Sequence, residues 1–407
     1  MSENKPEMIP EQGIPETAPA LHDWIVAELG DTELARKVSE HPEITAQVVS
    51  GEGLPSPDFF GMVRAIGNQD PMLAHELIQV GLNAKRLLTL QYAHVAGNAS
   101  EENKKKHLIE ASFLATERAG IVKIKNEKEK TIEQIEMVNY AVEQINIIRK
   151  SYGLDEFYIA PEQVRFIADQ FLYNATAGKF FVHKQEVVLG EDDSAPVTLN
   201  KVLHELIHFG GYTSVQLDAD PVSGGLSVSD YRFGLAVRSR VKGTQERAPV
   251  YLNGLSEAVT EELANRMRTM ISDEHPVFGK MLIENDALRE KFISLKRVAY
   301  EKRNFRDHWT IPCLNQKGEL VLGTAYTRER LVLFALFQKI YDHTERKNTM
   351  TLEEAEEELF EMLTKAYFTG NILPFGRLFN DTFGRGQFRE FGHLQTVEEQ
   401  KAFIDAL

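Results

Sequence analysis

The chain has 407 residues, of which 43% are hydrophobic and 26% charged, as expected for a globular protein with at least one sizeable core. Its 46 Lys and Arg against 61 Asp and Glu give a formal net charge of −15, which disfavours a nucleic-acid backbone as the main partner. The single cysteine, Cys313, excludes an internal disulfide framework.

The first 20 residues are acidic and rich in proline, which predicts a disordered tail over 1–20. They lack the basic and apolar regions of a signal peptide. No stretch of the sequence approaches the ~18 apolar residues of a membrane span. We therefore expect a cytoplasmic protein that does not contact a membrane.

Apolar residues then recur at helical spacing, which predicts a helical N-terminal region over 21–152. After about Gly153 the chain becomes rich in aromatic and β-branched residues. The segment Gly178 to Leu189 predicts two short strands, and Tyr231 to Val241 predicts further strand structure.

Helical patterns return with Ser256 to Met270 and continue to the end of the chain. Thr351, with Glu354 three residues later, is typical of a capping box at a helix start. The order of elements predicts an α+β fold dominated by helices. We place a catalytic domain with a small sheet over 153–310 and a helical region over 311–407.

The most informative segment is His204-Glu205-Leu206-Ile207-His208. Thr198 is a candidate cap for its helix. Histidines four residues apart leave one face of a helix about one turn apart, so both imidazoles can reach one zinc ion. Glu205 follows the first histidine and can serve as general base beside the metal.

HExxH alone is a weak signal. With 12 His in 407 residues, it arises by chance about once in 25 chains of this composition. The alternative is a surface helix with two solvated histidines. A catalytic zinc site also needs a third ligand and an open position. Neither HxxGxxH nor HxxEH occurs here, which leaves a glutamate on a later helix.

Such a glutamate occurs in Asn253-Gly254-Leu255-Ser256-Glu257-Ala258-Val259-Thr260-Glu261. This stretch resembles the second motif of thermolysin-like gluzincins, which are zincin metallopeptidases. The resemblance implies a zincin-like core, Zn²⁺ as cofactor and Glu257 as third zinc ligand. It also implies that Glu261 orients a ligand histidine through its free ring N–H.

The resemblance covers about residues 175 to 270 and departs from the family in two respects. Glu257 follows His208 by 49 positions, a longer gap than in thermolysin, and the acid after Thr260 is Glu where Asp is usual. Without the motif, Glu257, Glu261 and Glu262 would be read as a solvated acidic helix face.

Two further interpretations concern the substrate, a peptide or protein. In zincins an antiparallel edge strand beside the active-site helix pairs with an extended peptide. We expect the segment Val187 to Leu189 to be that strand, with an ordinary buried strand as the alternative. Tyr326, at a predicted helix start, is the candidate oxyanion donor, and Arg330 a turn later is a candidate for binding a substrate carboxylate. The reserve donors are Tyr231, Tyr251 and His183.

The sequence thus predicts a zinc-dependent metallopeptidase. Three alternatives stay open: a non-catalytic zinc-binding helical protein, a partner-activated or autoinhibited protease, and a helical scaffold in which HELIH is accidental. A structural zinc site normally closes all four positions with Cys and His, and no cysteine lies nearby. The oligomeric state and the choice between endo- and exopeptidase stay open too.

Overall fold

The computed structural model describes residues 92–96, 128–157, 159, 164–167, 178–181, 186–190, 194–219, 226–238, 250–301, 311–314, 319–323 and 326–407. All of them belong to one compact unit, which is formed by 89–99 and 125–407. A second unit, 1–88 with 100–124, lies outside the described residues, as does the tail predicted over 1–20.

Helices dominate the described part of the chain. They are α1 (Ile132–Ser151), α2 (Ala195–Gly210), α3 (Asn253–Thr269), α4 (Gly279–Glu301), α5 (Thr327–His343), α6 (Arg346–Thr349), α7 (Leu352–Thr369), α8 (Leu373–Phe383), α9 (Gln387–His393) and α10 (Val397–Ala406). The strands are β1 (Tyr92–Ala96), β2 (Val164–Ile167), β3 (Gly178–Phe181), β4 (Glu186–Gly190), β5 (Thr213–Ala219), β6 (Leu226–Phe233), β7 (Ala236–Arg238), β8 (Val250–Tyr251), β9 (Pro312–Leu314) and β10 (Leu320–Leu322).

The strands form small sheets, so the predicted helix-dominated α+β class is confirmed. One sheet has the order β1-β5-β6-β7-β8, with β1 and β5 parallel and the other pairs antiparallel. A second has the order β2-β4-β3, with β2 parallel and β3 antiparallel to β4. Strands β9 and β10 pair with each other.

Three local features differ from the sequence-based expectations. Strand β1 lies in a stretch predicted to be helical. The local sequence did not reveal it, because its parallel partner β5 is more than 100 residues away along the chain. Helix α2 begins one turn before Thr198, with Ser194 as N-cap and a proline in its first turn. Strand β4, which contains the segment Val187 to Leu189, is the central strand of its sheet. The described edge strand beside α2 is β3.

Among the residues that the structure describes, a hydrophobic core joins the helices to the sheet β2-β4-β3. Helix α2 lies in its middle, between α1, α3 and β3. Helices α5 and α7 pack on α3, so residues after 311 share this core with residues before it. The capping box at Thr351 and Glu354 is present and begins α7, as predicted. The domain limits at 152, 153 and 311 stay predictions.

Candidate metal centre

Helix α2 carries two histidines into the core. It is apolar on nearly every side, and a helix of that kind is normally buried. Leu203 and Leu206 are fully buried, while His204 and His208 retain only 6% and 7% exposure. The alternative of a surface helix with two solvated histidines is therefore excluded. Buried imidazoles require polar partners for both ring nitrogens.

The inner ring nitrogens of both histidines converge on Glu257 of α3. The two Nε2 atoms lie 3.1 Å apart, and Oε2 of Glu257 lies 3.3 Å from Nε2 of His204 and 3.3 Å from Nε2 of His208. Three tetrahedral ligands ~2.0–2.1 Å from one metal ion are separated by ~3.3 Å. His204, His208 and Glu257 therefore fit the ligand positions of a single metal ion.

The outer nitrogen of His204 is held by a carboxylate of α3. Nδ1 of His204 lies 2.9 Å from Oε2 of Glu261, which is 1% exposed. The other oxygen of Glu261 accepts from Nδ2 of Asn200 at 2.9 Å and of Asn265 at 3.1 Å. When His204 donates its Nδ1 proton to Glu261, its Nε2 lone pair points to the shared centre, as a metal ligand requires.

The outer nitrogen of His208 is held by a residue from the C-terminal helices. The hydroxyl of Tyr367, on α7, lies 2.9 Å from Nδ1 of His208 and 2.9 Å from Oγ1 of Thr260. Tyr367 is fully buried. Both imidazoles therefore have one fixed partner outside the cluster and point their other nitrogen into it.

Negative charge dominates the cluster. Burial alone would lower the pKa of His204, but hydrogen bonds to Glu257 and Glu261, with the charge of Glu205, raise it to about 10. Burial would raise the pKa of Glu257, yet the adjacent His208 and His204 hold it far below its usual range. Without another cation the carboxylates favour a proton on His204, and they would equally favour a divalent metal ion.

Glu205 is half-buried on α2 and lies close to the edge strand β3. A Cβ atom added to Gly178 would lie 2.9 Å from Oε1 of Glu205 and 3.0 Å from its Cγ. The charge of Glu205 also acts on both His204 and Tyr326. The side chain predicted to be the base thus lies next to His204 along the chain and beside strand β3.

Tyr326 borders the same cluster. Its ring stacks on His204 with 5.2 Å between centroids and 6° between planes. It precedes α5 with a φ of 50°, a conformation that is uncommon for residues other than glycine. Desolvation raises the pKa of Tyr326 well above its ordinary value, as do the charges of Glu257 and Glu205 and a hydrogen bond to Glu257. The hydroxyl therefore stays protonated and can act as a donor.

The structure excludes one alternative and one expectation about charged residues. Glu257, Glu261 and Glu262 do not form a solvated face, because Glu261 and Glu262 are buried at 1% and 0% exposure. Arg330 is also fully buried and lies 3.7 Å from a carboxylate oxygen of Glu262. Solvent does not reach it, so it is not placed to bind a substrate carboxylate. Burial would raise the pKa of Glu261, but its hydrogen bond to His204 and the charges of His204 and Arg330 lower it.

The described part of the structure does not support the reserve candidates for the oxyanion donor. Tyr251 packs against His393, with 4.3 Å between ring centroids. His183 and the side chain of Tyr231 lie outside the described residues.

Three functional contacts were not predicted from the sequence. Asn200 lies four residues before His204, and Asn265 four after Glu261, so i±4 spacing was a usable signal for both. Tyr367 offered no comparable signal, because it is 159 residues from His208 along the chain.

No helix among the described residues is both long enough and apolar enough to span a membrane. Comparison with models of protein families, with curated proteins and with solved structures found no match for this chain.

Proposed function

We propose that the chain is a zinc-dependent metallopeptidase. The proposal is carried by the convergence of His204 Nε2, His208 Nε2 and Glu257 Oε2 within 3.1–3.3 Å of one another. Two imidazoles and one carboxylate are a ligand set of catalytic zinc, which keeps its fourth position for water or substrate. Zinc held there would lower the pKa of a water molecule to ~7 and polarise the scissile carbonyl.

Glu205 is the general base in this proposal. It adjoins the ligand cluster without belonging to it, which suits a carboxylate that takes a proton from the attacking water. The same carboxyl group then gives the proton to the leaving amine. Glu261 holds His204 in the tautomer that binds metal.

Tyr326 is the proposed oxyanion donor. Its ring lies on His204 and its hydroxyl keeps its proton, so it can donate to charge that develops on the scissile carbonyl oxygen. The left-handed backbone at Tyr326 fits a functional position, because strained residues concentrate at active sites.

The proposed substrate is an extended peptide or protein segment. Strand β3 lies at the described edge of its sheet, next to α2, and Gly178 in it adjoins Glu205. A peptide paired with that edge would pass close to the base and the ligand cluster. This strand replaces the segment Val187 to Leu189 in the proposal.

The test uses the purified full-length chain loaded with zinc. Elemental analysis measures zinc and iron, and mass spectrometry follows the cleavage of a mixture of unstructured peptides. Wild type should hold about one zinc per chain and cleave peptides. Glu205→Gln should keep the zinc and lose at least about 10²–10⁴ in rate. A zinc-loaded wild type that cleaves nothing would leave a non-catalytic or partner-activated metal protein. Iron in place of zinc in the protein as purified would point to different chemistry.

A further inference from the structure

Tyr367, on α7, is tightly packed beside the candidate metal ligands. Its ring leaves no room for side chains at two neighbouring positions, since an added Cβ would lie 2.5 Å from the ring at Gly211 and 2.4 Å at Gly234. Its backbone carbonyl accepts from the N–H of Tyr212 at 2.9 Å. The ring therefore cannot turn its hydroxyl away from His208 without moving these segments.

The direction of the hydrogen bonds at the Tyr367 hydroxyl depends on Thr260. Oγ1 of Thr260 lies 2.8 Å from the backbone carbonyl oxygen of Ser256 and 2.9 Å from the hydroxyl oxygen of Tyr367, and its one hydrogen can be donated to only one of them. When Thr260 donates to the carbonyl, which can only accept, it is left to accept the hydrogen of Tyr367. The oxygen of Tyr367 is then an acceptor towards His208.

The choice of donor at Tyr367 decides the protonation pattern of His208. If the oxygen of Tyr367 accepts, Nδ1 of His208 carries the proton and Nε2 carries the lone pair that faces the cluster. If Tyr367 donated instead, Nδ1 would hold the lone pair. The proton would then sit on Nε2 and block the ligand position.

We propose that Tyr367 is a positioning residue for the metal, acting through His208 as the middle member of a relay that runs to Thr260 and the carbonyl of Ser256. The inference rests on the metal site of the proposed function but not on peptide hydrolysis. It gives the two ligand histidines different supports: a carboxylate for His204 and a neutral hydroxyl relay for His208. The relay also ties the metal site to α7, a helix far along the chain.

A purely structural tyrosine would have the same burial, so the test compares matched variants. Tyr367→Phe keeps the ring and removes the hydroxyl. Tyr140→Phe is the control, because the Tyr140 hydroxyl also donates to a buried partner, the carbonyl of Met267 at 2.7 Å, away from the cluster. Thr260→Val removes the acceptor from the relay, and Thr260→Ser restores a hydroxyl at that position.

Three quantities are measured: zinc affinity by chelator competition, the visible spectrum of the Co²⁺-substituted protein, and the melting temperature without metal. Tyr367→Phe and Thr260→Val should weaken zinc binding by about 10- to 100-fold and shift the Co²⁺ bands. Thr260→Ser should bind zinc like wild type. Tyr140→Phe should lower the melting temperature while leaving affinity and spectrum unchanged.

The inference is overturned if Tyr367→Phe behaves like Tyr140→Phe, with a lower melting temperature but unchanged affinity and spectrum. It is also overturned if Thr260→Ser fails to restore what Thr260→Val removes. Peptide cleavage separates this inference from the proposed function. If the variants show the expected zinc affinities but the wild type cleaves no peptide, the relay is supported and the proposed peptidase activity is not. If the wild type cleaves peptides but Tyr367→Phe binds zinc as tightly as wild type, the peptidase is supported and the relay is not.

Discussion

Gly178 and Glu205 lie so close that position 178 has no room for a side chain. A Cβ there would lie 2.9 Å from Oε1 of Glu205 and 2.8 Å from Cδ2 of Leu189, closer than Cβ atoms are found to other atoms. The absence of a side chain at position 178 of β3 thus leaves the space that the carboxylate of Glu205, the proposed base, occupies.

Gly178→Ala should therefore displace Glu205 and lower the rate of peptide hydrolysis by about 10²-fold, since a shift of ~1 Å can cost that much. Zinc content should stay at the wild-type level, because no ligand moves. Gly376→Ala is the matched control: its added Cβ would lie 2.9 Å from the ring of Phe388, which is equally crowded but not part of the site. Equal rates for wild type and Gly178→Ala would contradict the assigned position of the base.

Zinc content tests the ligand set. Replacing His204, His208 or Glu257 by alanine removes one of three converging ligands, so each change should lower zinc occupancy after dialysis. His343→Ala is the control, as His343 is exposed and hydrogen-bonded to the carbonyl of Lys339 on its own helix. Elemental analysis gives the occupancy. Full zinc content in any of the three ligand variants would remove that residue from the set.

Glu261→Gln tests the support of His204. The substitution removes the charge that holds the Nδ1 proton, so zinc affinity should fall by about 10- to 100-fold. Glu262→Gln is a suitable control, because Glu262 is equally buried but pairs with Arg266 at 2.9 Å. Both variants should lose stability, while only Glu261→Gln should weaken zinc binding in chelator competition. A similar loss of affinity in both would point to a general effect of buried charge.

Tyr326→Phe tests the oxyanion donor. It keeps the ring that stacks on His204 and deletes the hydroxyl, so kcat should fall by about 10²-fold with little change in melting temperature. Tyr341→Phe is the control, since the Tyr341 hydroxyl contacts the carbonyl of Met350 at 3.2 Å. Steady-state kinetics on one identified peptide is the measurement. A rise in KM with unchanged kcat would assign Tyr326 to substrate binding instead.

Metal binding should depend on pH through His204. The pKa of His204 without metal is raised to about 10, so at pH 7 a metal ion must displace its proton. Zinc binding should release about one proton, and affinity should rise by about tenfold per pH unit from pH 6 to 8. The same proton stabilises the metal-free fold below the unfolded pKa of ~6.5, and this stabilisation is lost as the pH rises towards 10.

Titration calorimetry in buffers of different ionisation enthalpy counts the released protons. The apparent binding enthalpy should change linearly with the buffer's ionisation enthalpy, with a slope near one proton. A slope near zero at pH 7 would show that His204 is already neutral in the metal-free protein. The carboxylates around His204 would then raise its pKa less than their distances suggest.

The local sequence, with the family resemblance of the segment Asn253 to Glu261, was enough to identify the candidate metal ligands and the class of fold. His204 and His208 had to share a face because their four-residue spacing matches the helical repeat. Strands β3 and β4 and the capping box of α7 followed from residue types within a few positions. Patterns of this kind depend only on residues that are close in sequence, so they can be recognised without the tertiary structure.

What depended on long-range packing could not be read from the chain. The support of His208 by Tyr367, the edge position of β3 and the burial of Arg330 each join segments far apart in sequence. A tyrosine on an apolar helix face predicts only that its ring is buried. Whether its hydroxyl meets a histidine depends on how α7 packs against α2 and α3. The sequence by itself determined which residues can bind a metal, and only the tertiary structure decided which residues orient them, because orientation comes from neighbours that packing selects.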